Sequence, residues 1–153
     1  MKALLLLVTT LTLLSGCANL GAQAEANKLV EQRQLAAMVA KAGKSRLLIT
    51  DVPSANNFIS DQMMVVSLKT GGSSNSVEAL LKVLQQSPAA TIAVTGKSSN
   101  VTAATVEAAL KRLVPLPADS KTVLLFVGDA AYAENLKSAA ALSGIKLETL
   151  QVP

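Results

Sequence analysis

Residues 91–114 read TIAVTGKSSNVTAATVEAALKRLV. The first five are a β-branched, apolar run, which suits a strand packed in a core. Gly96 permits a tight turn, and Ser98, Ser99 or Asn100 can cap a helix beyond it. Val106, Leu110, Leu113 and Val114 then recur at helical spacing, and Pro115 and Pro117 end the run. Strand, turn and helix in this order form half of a βαβ unit.

The same alternation continues on both sides. Downstream, KTVLLFVG (121–128) is the most apolar strand candidate. Asp129 can cap a helix carrying Tyr132, Leu136, Ala139 and Ala140, which ends near Gly144. IKLETLQV (145–152) closes the pattern as a strand of mixed polarity, expected at a sheet edge. Upstream, Val77, Leu80, Leu81 and Leu84 make an apolar helical stripe, with Asn75 and Glu78 placed as a capping pair. SRLLITDV (45–52) reads as a strand stopped by Pro53.

Between them, PSANNFISDQ (53–62) reads as a turn-rich connection with room for one short helical turn, and MMVVSLK (63–69) as a further strand, an alternative hairpin partner of RLLITDV. TGGSSNS (70–76) reads as a flexible loop. Leu35, Met38, Val39 and Ala42 fall on one face of a helix expected over 29–43, with Gly43 at its end. Repeated strand and helix predict an α/β domain over 29–153: a small three-layer α/β/α arrangement around a mostly parallel sheet. Right-handed crossovers are expected to place helices on both faces.

Gly96-Lys97-Ser98 after a strand raises the question of a phosphate-binding loop. The full pattern needs a glycine five residues before Gly96, and residue 91 is Thr. A strand-to-helix turn accounts for the residues better. There is no histidine, so Ser-His-Asp and Cys-His catalysis are excluded and the commonest metal ligand is missing. Acidic residues stand singly, with no calcium-loop spacing. Phe58, Phe126 and Tyr132 are the whole aromatic complement, which disfavours a carbohydrate face or a base-stacking platform. The formal charge is +4, but the basic residues are scattered, so no nucleic-acid footprint is expected.

The first residues, MKALLLLVTTLTLLSGC, have a positive start at Lys2, an apolar stretch and small residues before Cys17. That layout is a secretory signal peptide, expected over 1–16. Leu14-Ser15-Gly16-Cys17 resembles the lipobox of bacterial lipoproteins. The resemblance implies cleavage before Cys17 and a diacylglycerol on its thiol. It also implies acylation of the new amine, and, with Ala18 rather than Asp next, sorting to the outer membrane. More than one buried acyl chain gives stable anchoring. Residues 17–28, small and polar after the cysteine, read as a lipidated tether.

In such a fold, the carboxyl ends of the strands form the natural ligand crevice. Asp51, Gly96, Lys97, Ser98 and Asp129 fall on that rim and are the candidate site; capping and turn formation explain the same residues. No catalytic residue, metal or cofactor is expected. The reading is a non-enzymatic accessory lipoprotein that holds a protein partner of an envelope assembly, such as a secretion, pilus or export system. It is anchored in the outer membrane and faces the periplasm. A ligand-binding or catalytic α/β domain, and a surface exclusion or immunity lipoprotein, are the alternatives.

Overall fold

The computed structural model describes residues 23–151; the expected signal peptide and Cys17 lie outside them. Contacts divide the chain between Ala37 and Met38. A helix, α1, is described over residues 23–42, so residues 23–28 are helical rather than tether. Its residues 23–37 belong to the first unit and expose Leu29, Val30 and Leu35.

The second unit alternates strand and helix. In order come β1 (Arg46–Val52), α2 (Phe58–Lys69), α3 (Asn75–Gln86), β2 (Ala90–Gly96), α4 (Ser99–Arg112), β3 (Val123–Val127), α5 (Ala130–Leu142) and β4 (Lys146–Leu150). The four strands pair in sequence order, β1-β2-β3-β4, all parallel. The expected α/β class and parallel sheet are therefore present.

The register sorts side chains by parity, because successive strand residues face opposite ways. Leu48, Ile92, Leu124 and Leu147 align across the sheet on one face. They pack with Val65, Leu80, Leu84, Val106, Leu110, Leu136 and other residues of α2–α5 in one core. Ile49, Ala93, Leu125 and Glu148 align on the opposite face. There Met38 packs with Ala93, Leu125 and Val127, with Leu47 and Leu150 beside them.

The layers are thus helix, sheet, helix, but the crossover helices do not alternate sides as expected. A right-handed crossover that always steps to the next strand in the same direction returns over the same face. The order β1-β2-β3-β4 therefore places α3, α4 and α5 together, and residues 38–42 of α1 supply the cover opposite.

Residues 63–69, read as a strand, lie in helix α2. Asn57 caps it, its side chain accepting from the Ile59 N–H at 3.0 Å. The apolar run MMVV carries no clean period because α2 is apolar on more than one face, and such a run suits either structure. Ser74, rather than Asn75, caps α3 by accepting from the Val77 N–H. Each fully buried Leu or Val of α3 contributes roughly 1.5–3 kcal/mol of burial.

Helix α4 is central. It touches α2, α3, α5 and β2, and nine of its residues are buried. Ala103, Ala104, Ala108 and Ala109, with Thr102 and Thr105, give it the small surface that lets neighbours close around it. α5 is closed by Gly144, two residues past its end, with φ +69, and the Ile145 N–H beyond it donates to the Ala140 carbonyl.

Candidate functional site

The strand-end rim is built from helix starts. The Ser98 hydroxyl accepts from the Val101 N–H at 3.5 Å, and its carbonyl accepts from the Thr102 hydroxyl at 2.9 Å. Gly96 is required by crowding: a Cβ there would lie 2.5 Å from Thr102 Oγ1 and 2.6 Å from the Val52 carbonyl. Its lack of a side chain lets β2 run close beside β1 at this turn.

The Asp129 carboxylate accepts from the Ala131 N–H at 2.9 Å and caps α5. The Asp129 N–H donates to Ser99 Oγ at 3.2 Å, tying the start of α5 to the start of α4. Gly96, Ser98 and Asp129 are therefore occupied in building the rim. Asp51 and Lys97 are exposed, and among the described residues no ion pair joins Asp51, Lys97 and Asp129. Nor does any group of three or more acidic or thiol side chains among the described residues come together as a metal site. The rim holds turns and caps, and neither Asp51 nor Asp129 forms an ion pair with Lys97 among the described residues.

The feature that sequence reading missed is on α2. Val65 and Leu68 face inward, with Met64 half-buried against the same core. The opposite face presents Phe58, Ile59, Met63 and Val66, exposed by 77, 68, 69 and 59%. Positions 59, 63 and 66 follow the i, i+4, i+7 spacing, so these side chains form one stripe. With Gln62 and Ser67 they line an apolar depression of about 480 Å³. None of these lining residues is charged. Once 58–69 is taken as a helix, the two spacings, inward and outward, are legible in the sequence.

A second cavity, of about 340 Å³, opens at the amino ends of the strands. Leu84, Pro88, Leu116 and Pro117 form its apolar walls, with Lys121 and Asp119 also lining it. Across the helical layer, Arg112 at the end of α4 donates to Glu78 Oε1 and to Ser73 Oγ, and Ser73 donates to the same carboxylate. These bonds hold the exposed Glu78 carboxyl below its ordinary range, the Ser73 hydroxyl being the larger cause.

No protein family, curated protein or solved structure matches this chain. Among the described residues, no helix is long and apolar enough to cross a membrane.

Proposed function

We propose that this chain is an outer-membrane-anchored lipoprotein that acts without catalysis, as an accessory that binds a protein partner in a cell-envelope assembly. The lipobox-like Leu14-Ser15-Gly16-Cys17 supplies the anchor and the address. The domain faces the periplasm. Its partner contact is the exposed face of α2.

The observation that carries the reading is the stripe Phe58, Ile59, Met63 and Val66 on a helix whose other face is already packed. Scattered single apolar residues need no explanation, but several large ones aligned on one helix face mark an interaction surface. An apolar helical face is a known mode of partner capture, with anchors at i, i+4 and i+7. In the strand-end rim, three of the five candidate residues are engaged in capping and turn formation, which favours α2 as the contact.

The test is in-cell photocrosslinking from a photoreactive residue placed at Met63. The expected result is reproducible capture of one envelope-assembly component, lost with Phe58→Asp. The same probe at Lys82, exposed on α3, serves as the control. Equal capture from both positions, or none from Met63, would overturn the proposal.

A further inference from the structure

The two edges of the sheet are protected unequally. β4 is short and charged: Lys146 pairs with Glu148 at 2.8 Å, and Lys41 of α1 approaches the same carboxylate at 3.9 Å. Charged residues of this kind are how natural sheets discourage a further strand. β1 has seven residues and pairs only with β2 among the described residues. Its interior, Leu47-Leu48-Ile49-Thr50, carries no charge and no proline, and Ile49 is 46% exposed. A long edge whose middle four residues carry no charge is a template for strand addition.

We infer that the outer edge of β1 pairs antiparallel with β1 of a second copy of this chain, making one continuous eight-stranded sheet. The charges select the orientation. Arg46 opens the strand and Asp51 nearly closes it. Antiparallel pairing sets the Arg46 end of each copy beside the Asp51 end of the other, whereas parallel pairing would set like charges side by side. An isologous pair also closes on itself, while a head-to-tail edge would propagate into fibres.

The register follows from full overlap. Ile49 is the middle of Arg46–Val52, so pairing all seven residues puts Ile49 opposite Ile49 of the second copy. Leu48 then faces Thr50, and no like charges are directly opposite. A two-fold normal to the sheet keeps each face on its own side, and so preserves the inward and outward sets. Such an edge contact buries less than the roughly 800 Å² per partner of a standard interface. Association therefore depends on concentration, which anchoring in a membrane plane raises.

The test is sedimentation of the full lipidated chain in detergent over a wide concentration range, with amide hydrogen exchange on the same samples. A monomer–dimer equilibrium is expected, with amides of 46–52 slowing as dimer forms and those of 146–150 unchanged. Ile49→Lys puts like charges opposite each other and should weaken the dimer by up to about fivefold, with unaltered thermal unfolding. Ile49→Thr should keep the dimer, and so should Met63→Lys on α2. A chain that stays monomeric throughout, or an Ile49→Lys variant that dimerises like the parent, would sink the inference. A dimer broken by Met63→Lys instead would assign self-association to α2 and also overturn it.

Discussion

Arg112 and Glu78 join the last turn of α4 to the first turn of α3 at 2.8 Å, with the Ser73 hydroxyl 2.7 Å from each. Ser73 and Glu78 come from the start of α3 and Arg112 from the end of α4, and the two helices are in contact. The pair is solvent-exposed, so its contribution to stability is small. Its imprint is on the Glu78 proton.

That imprint is measurable. The Glu78 carboxyl titrates below an ordinary glutamate because Ser73, then Arg112, bond its ionised form. The folded pKa is depressed, so any stabilisation is present above the unfolded pKa and is lost as pH falls through the folded one. Carboxyl-carbon NMR titration should show a low Glu78 midpoint. Ser73→Ala and Arg112→Ala should each raise it. An unchanged midpoint in both variants would contradict the geometry.

Thr105 is the buried side chain with no hydrogen-bond partner for its hydroxyl oxygen among the described residues. It sits in α4, 1% exposed. An unsatisfied buried polar group carries its full desolvation cost, and replacing it by an apolar group of the same shape removes that cost. Thr105→Val should therefore stabilise the domain by about 1 kcal/mol. Chemical denaturation should show a higher midpoint with an unchanged slope. Destabilisation would mean that the hydroxyl has a partner.

The fold was legible in the sequence wherever one period dominated. VLLFV between a proline-rich loop and the Asp129 cap could only be a buried strand, and Leu80, Leu81 and Leu84 could only face a core. The helix over 58–69 was hidden because apolar residues occur on both its faces, the inner set for α4 and the outer set for nothing described. The side of each crossover was hidden for another reason. It depends on strand order, and no residue within a single βαβ unit encodes that order. The strand-end residues lie at or just after the carboxyl ends of the strands, but capping and catalysis use the same residue types there, and only the structure shows that Ser98 and Asp129 cap α4 and α5.

Ala89, between α3 and β2, has φ +57. An L-residue in the left-handed region costs roughly 1–2 kcal/mol, while the extra chain freedom of glycine in the unfolded state costs about 0.5–1 kcal/mol. The first effect is the larger. Ala89→Gly should raise stability by about 0.5 kcal/mol or more, seen as a rise in Tm. A fall would show that contacts of the Ala89 methyl, in the wall beside Pro88, outweigh the strain.

Gly96 and Lys97 are neighbours with opposite expectations. A Cβ on Gly96 would stand within 2.6 Å of the Val52 carbonyl and closer still to Thr102 Oγ1, whose hydroxyl is already bonded to the Ser98 carbonyl. Their withdrawal would part β1 from β2 or break the Thr102–Ser98 bond in the first turn of α4. Gly96→Ala should cost about 1–3 kcal/mol, as overpacking does. Lys97 is exposed, and Lys97→Ala should change stability by less than about 0.5 kcal/mol and leave capture from Met63 intact. Equilibrium unfolding of the two variants, with the crosslinking assay on the second, makes the comparison. Loss of capture in a stable Lys97→Ala protein would move the functional surface from α2 to the strand-end rim. Retention of both properties, with Gly96→Ala destabilised, leaves Gly96-Lys97-Ser98 as the turn that starts α4.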